Sequence, residues 1–167
     1  MENLQTTGTL GPNEGRVGYF HVTQPGEELL LRKEIRIQYP CLASELTMDA
    51  TVIHGDFPSD RRSVVCKAIW DTGASNTTLN ADIITRLGLK QADAPSHVTH
   101  TANGDIRSQA YEVCLVLSPD WPPIKFCVYE MPPCDVDMLI GMDIIGKGKF
   151  KVFPENGKTV LRFALPI

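Results

Sequence analysis

The sequence predicts a mostly β fold, and three observations carry that prediction. Apolar and polar residues alternate with period two along most of the chain, turn-forming residues interrupt the alternation at short intervals, and only two short stretches carry helix end signals. At 167 residues, 43% hydrophobic and 22% charged, the chain has the composition of an ordinary globular domain and enough length for one sizeable core. Many short strands with one or two short helices point to a barrel or a sandwich.

The elements follow in chain order. Residues 1–15 are polar, include three glycines and a proline, and lack both a basic leader and an apolar segment, so they read as a flexible tail and not as a signal peptide. Val17–Thr23 and Glu28–Tyr39 flank Gln24-Pro25-Gly26-Glu27, and Ile35, Ile37 and Tyr39 alternate with Glu34, Arg36 and Gln38. This predicts an N-terminal β-hairpin extension over residues 16–40, ahead of the main domain over residues 41–167. Leu46–His54 and Ser63–Trp70 form a second predicted hairpin across the turn-rich Gly55–Arg61. Asn80 offers a side-chain oxygen to cap a helix over Ala81–Leu87, which closes at Gly88, where a left-handed conformation suits glycine.

Asn103-Gly104, the strongest short-range hairpin signal, joins the extended segments Val98–Thr101 and Ile106–Leu117. Lys125–Glu130 and Asp137–Ile140 read as further strands, and a helical turn at Asp143–Ile145 ends at Gly146. Lys149–Phe153 and Thr159–Ala164 then pair across Pro154–Lys158, which contains Asn156-Gly157.

Composition narrows the partners. Sixteen basic against twenty acidic residues give a net charge of -4, and no Lys/Arg block exists to neutralise a run of phosphates, so nucleic acid is not an expected partner. The longest uncharged apolar runs, such as Met138–Met142, fall far short of the roughly 20 residues of a membrane helix, so no membrane association is expected. Five cysteines, Cys41, Cys66, Cys114, Cys127 and Cys134, are odd in number, with no CxxC pair and no zinc-ligand spacing. They read mostly as small buried hydrophobes in a cytoplasmic, reducing setting.

Chemistry concentrates where Ala68-Ile69-Trp70 runs straight into Asp71-Thr72-Gly73-Ala74-Ser75. A strand delivers a carboxylate to a tight turn, whose amides around Gly73 and Ser75 can approach Asp71 while the Thr72 hydroxyl bonds a neighbouring main-chain group. Asp-Thr-Gly alone occurs by chance in roughly 3% of chains of this length. An Asx-type turn is therefore the rival explanation, and context decides between them.

That context is the helix ending at Gly88, the Asn103-Gly104 hairpin, and Asp137-Met138-Leu139-Ile140-Gly141-Met142-Asp143, in that order. From about Leu46 to Ala164 the chain resembles the retroviral-type aspartic proteases, the retropepsins. The resemblance implies a single-lobe acid-protease β-barrel. It makes Asp71 catalytic, Thr72, Gly73, Ala74 and Ser75 the active-site turn, Ala102, Asn103, Gly104 and Asp105 the tip of a flap, and Ile140-Gly141 the support beneath the turn. Two departures stand out. Met142 occupies the place where retroviral members commonly carry arginine, which puts their ionic bracing of the dimer in doubt, and residues 16–40 lie outside the resemblance, their role open.

Aspartic proteolysis needs two carboxylates about 3 Å apart sharing a proton, because like charges that close cannot both ionise. One acts as base toward water and the other, protonated, polarises the scissile carbonyl, with no metal and no cofactor. The chain holds one Asp-Thr-Gly and no second copy. The expectation is a homodimer with one Asp71 from each subunit, as the resemblance also implies, acting on a peptide or protein substrate bound by strand addition. Ala74 offers no hydroxyl to the ionised dyad, so activity is expected at mildly acidic rather than strongly acidic pH.

Other chemistries fare less well. Asp135 and Asp137 have neither a Gly-bearing calcium loop nor a third ligand. His97 and His100 would point to opposite faces of a strand, His21 and His54 are isolated, and Ser75 has no readable histidine partner. The alternative of another kind is a catalytically silent module that keeps the fold for dimerisation or protein binding.

Overall fold

The computed structural model describes residues 33–94, 96–101, 104–131 and 134–165. It contains β1 (Lys33–Gln38), β2 (Thr47–His54), β3 (Ser63–Trp70), β4 (Thr78–Asn80), α1 (Ala81–Leu87), β5 (His97–Thr101), β6 (Gly104–Ser108), β7 (Ala110–Val116), β8 (Ile124–Met131), β9 (Met138–Ile140), α2 (Met142–Ile145), β10 (Lys149–Glu155) and β11 (Lys158–Leu165). The expected mostly β barrel with two short helices is what forms.

Six strands close the barrel in the order β2-β3-β9-β4-β8-β7. Alternation supplies its inside: Ala50 and Val52 from β2, Cys66 and Ala68 from β3, Val113 and Leu115 from β7 are each 5% exposed or less. Two pairings in the barrel are parallel, β3 with β9 and β4 with β8. Consecutive hairpins cannot produce these, so crossover connections must bring the parallel strands together.

The second sheet, β1-β11-β10, packs on the barrel through aromatic rings. Trp70 lies 4.8 Å from Phe163 and 5.4 Å from Phe150 between ring centroids, and Trp121 reaches Phe163 at 6.1 Å. The segment Trp121-Pro122-Pro123, which reads from sequence as loop punctuation, thus also sends a ring into the core. The expected N-terminal hairpin falls mostly outside the described residues. Its described strand, β1, pairs along its whole length with β11, from Lys33 opposite Leu165 to Gln38 opposite Val160, and buries Ile35.

Local signals set several boundaries. Asn80 Oδ1 accepts from Asp82 N–H at 3.0 Å, and Gly88 closes α1 at φ +59°, both as the sequence predicts. Asn156 and Gly157 take φ of 52° and 74°, which shortens the last turn to two residues and draws Pro154 into β10 opposite Thr159. Because β10 is the last strand of its sheet among the described residues, proline's missing N–H need not break a ladder there. The predicted long strand Ile106–Leu117 is divided at Gln109: β6 pairs only with β5, and β7 enters the barrel.

Candidate active site

Asp71 leaves the barrel at the end of β3, half-buried, because the chain turns immediately after it. Its N–H donates to Ile140 O at 2.9 Å, continuing the β3–β9 ladder by one more bond. Gly73 N–H donates to Asp71 Oδ1 at 2.8 Å, and Ala74 N–H to Asp71 O at 3.3 Å. A carboxylate that accepts a main-chain amide is fixed in orientation, so Asp71 is aimed by the same turn that exposes Thr72.

A second loop braces this turn. Met142 N–H donates to Ala74 O at 2.8 Å, and Asp143 N–H donates to Ser75 O at 3.2 Å. Ser75 therefore works through its carbonyl, whereas the sequence pattern offered its amide to Asp71. Thr77 is wholly buried. Its N–H donates to Asp143 Oδ2 at 2.8 Å, and its hydroxyl donates to Asp143 Oδ1 at 2.6 Å while accepting from Gly141 N–H at 3.1 Å. Gly141 is required by proximity: a Cβ there would meet Asn76 C at 2.5 Å and Asn76 O at 2.6 Å.

Thr77 is the residue the sequence pattern does not flag, and Asp143 enters it only as the end of the Asp137–Asp143 segment, with no role attached. Thr77 sits on a short polar run with no periodicity, and the one available hint is an acid just beyond the apolar-Gly pair Ile140-Gly141. Asn80 is a partial case. Beyond capping α1, its Nδ2 donates to Cys134 O at 2.9 Å and Val136 O at 3.1 Å, tying the segment after β8 to the helix start.

Of the expected flap, Gly104 and Asp105 open β6, while Ala102 and Asn103 lie outside the described residues. Asp137 Oδ2 accepts from Lys67 N–H at 2.9 Å, so it serves the β3 edge, and no group of three or more His, Cys, Asp or Glu among the described residues could hold a metal ion. His54 is buried at 2% exposure with Nδ1 accepting from Asp56 N–H at 3.2 Å. His97 packs its ring on Tyr129 at 5.3 Å. All five cysteines are free; Cys66 and Cys114 are buried, but Cys41 and Cys134 are exposed, which limits the buried-hydrophobe reading to part of the set.

Hydrogen bonds from the Arg62 side chain and backbone hold Asp60 well below the ordinary carboxylate range in the β2–β3 turn. Burial, then the Asp137 charge, pushes the Cys66 thiol up to about 12.

Residues 52–144, more than half of the chain, match the family model described as aspartyl protease. The chain belongs to the aspartyl protease family. The matched region runs from β2 to α2 and so includes the Asp71 turn, the β5–β6 hairpin and the Gly141 brace. Within the aspartyl proteases the fold is retropepsin-like. The retropepsin-like aspartic protease from Rickettsia conorii superposes at a TM-score of 0.50 and 19% identity, over 81% of this chain and 96% of that one. EIAV protease complexed with the inhibitor HBY-793 gives 0.46 at 16% identity, covering 66% of this chain and 92% of that chain. The retroviral protease-like domain of Ddi1 from Leishmania major gives 0.40 at 17%, covering 72% and 95%. No curated protein matches the sequence. No helix among the described residues is long and apolar enough to cross a membrane.

Proposed function

We propose that this aspartyl protease family member is an aspartic endopeptidase that acts as a homodimer, hydrolysing peptide bonds with a water held between two Asp71 carboxylates, one per subunit. The observation that carries this reading is the intact Asp71-Thr72-Gly73 turn, with Asp71 Oδ1 held by Gly73 N–H at 2.8 Å at the end of a barrel strand. One carboxylate removes a proton from the water as the oxygen attacks the carbonyl carbon, and the protonated one donates to the carbonyl oxygen. The tetrahedral product then collapses, with the proton passing to the leaving amine. A lone chain supplies half of that pair.

In the dimer the exposed Thr72 of each subunit bonds the opposite turn, and an extended peptide adds to the cleft as a strand beneath the β5–β6 hairpin, the flap of this reading, with tip Ala102–Asp105. Alternate side chains of the peptide enter pockets on either side, and apolar ones are favoured. Five free thiols suit a cytoplasmic enzyme.

The test is a peptide-library digest by the purified chain, with and without a statine-type transition-state mimic, beside Asp71→Asn. Expected is inhibitable cleavage at mildly acidic pH, reduced by about three orders of magnitude or more in the variant. Equal cleavage by both proteins points to a contaminant. Absence of cleavage, with a dimer still present in sedimentation, supports the silent module instead. An optimum well below about pH 4, the ordinary aspartate value, contradicts the role given to Ala74.

A further inference from the structure

The β5–β6 hairpin shares no strand pairing with the barrel: it is a two-stranded sheet of its own. It is fixed at its root. Ala92 N–H donates to Ala110 O at 2.8 Å, Gln91 bridges to Tyr111, and Glu130 N–H donates to Gln109 O at 2.9 Å. Beyond the root, the His97 ring packs on Tyr129 of β8, centroids 5.3 Å apart and planes at 53°. A two-stranded ribbon is marginal by itself, so its angle to the barrel depends on what touches it near the base.

Tyr129 is also joined to the active-site loops. Its N–H donates to Thr77 O at 3.0 Å, and Thr77 is the residue whose amide and hydroxyl hold Asp143 and whose hydroxyl receives Gly141 N–H. A continuous series of contacts therefore runs from the hairpin to the brace beneath Asp71: His97 ring, Tyr129 ring, Tyr129 amide, Thr77. Lever geometry gives the contact its effect. Five residues of strand extend about 16 Å, so a tilt of about 10° at the base moves the far end by about 3 Å. Displacements of that size are large against the tolerance of a bound, oriented substrate.

We propose that His97 is a positioning residue: its ring against Tyr129 sets the angle of the β5–β6 hairpin relative to the Asp71 turn and so the fit of the peptide strand between them. This rests on the proteolytic reading for its consequence in catalysis, but not for the contact itself. The contact is made by the aromatic ring as a tilted pair, so phenylalanine substitutes for it and alanine does not.

The experiment compares wild type, His97→Ala and His97→Phe in the full chain by two measurements. In amide hydrogen exchange, His97→Ala exchanges residues 97–101 and 104–108 about two- to tenfold faster while the barrel strands are unchanged, and His97→Phe restores the wild-type rates. With the fluorogenic peptide that wild type cleaves best, KM rises by a similar factor in His97→Ala with kcat nearly kept, and phenylalanine again rescues it. A merely structural loss would lower kcat through the active fraction and leave KM alone. Unchanged exchange in His97→Ala, or failure of phenylalanine to rescue, overturns the positioning role. Absence of cleavage by wild type overturns the proteolytic reading and the KM consequence with it, while the exchange data still decide whether His97 holds the hairpin.

Discussion

The Asp71 turn and the β5–β6 hairpin are both loops on one barrel, yet they are held in opposite ways. The turn is enclosed by main-chain bonds with Ile140, Met142 and Asp143 and by the Thr77–Asp143 pair, of which Thr77 is buried, and a glycine at 141 lets two backbones approach too closely for any side chain. The hairpin pairs with itself and, among the described residues, leans on the barrel beyond its root through the aromatic contact of His97 with Tyr129. Polar hydrogen bonding in this fold is thus concentrated around the turn that carries the Asp71 carboxylate, and the projecting hairpin receives less of it.

The largest expected effect breaks the braced side. Gly141→Ala forces a methyl group onto the Asn76 carbonyl, and neither backbone can yield, so the variant should lose more than about 4 kcal/mol and fail to give a cooperative urea transition. A soluble variant with a wild-type midpoint would show that the turn can move and is no more firmly held than the hairpin. Next comes Thr77→Val, which keeps the volume and removes the hydroxyl. Gly141 N–H and one Asp143 oxygen then lose their partner, at a cost of about 2–4 kcal/mol in urea unfolding with unchanged slope. A loss under about 0.5 kcal/mol would place this pair among ordinary surface contacts.

The smallest expected effect is a pH dependence. The Cys66 thiol lies inside the barrel one strand before the turn, and burial lifts it from an ordinary 9.0 to about 12. A raised folded value means that its contribution is fully present below about 9 and is lost as pH climbs through 12. Stability should be flat in this respect to pH 9 and lower by about 1 kcal/mol at pH 10, a slope that Cys66→Ala removes. At pH 8, Cys66 should react with a thiol reagent about a thousandfold more slowly than exposed Cys41 and Cys134. Equal alkaline slopes in the two proteins, or fast labelling of Cys66, would mean that the barrel beside the turn opens as readily as the hairpin.

Much of the fold was legible because its signals are local. Alternation in Ser63–Trp70, the Asn80 cap, the Gly88 stop and Asn156-Gly157 each act within a few residues, and each of these elements forms where its signal lies, whereas Asn103 lies outside the described residues. Two refinements are as informative. Pro154 was expected in a turn and sits in β10, because the two positive-φ residues after it suffice to reverse the chain. Trp121 does lie in a loop, as its proline-rich surroundings suggest, but its ring also packs on Phe163, since burial of a loop ring depends on which sheet passes over it.

Sequence by itself determined the acid, its turn and its order among the supporting segments: three adjacent residues, Asp71-Thr72-Gly73, define a rigid carboxylate by covalent geometry and one short hydrogen bond. Only tertiary structure decided what holds that turn in place. Thr77 and Asp143 meet across 66 positions, and His97 meets Tyr129 across a sheet boundary. Such pairings come from strands crossing in space, where closing a long loop is offset by many contacts at once, so no window of neighbouring residues contains them.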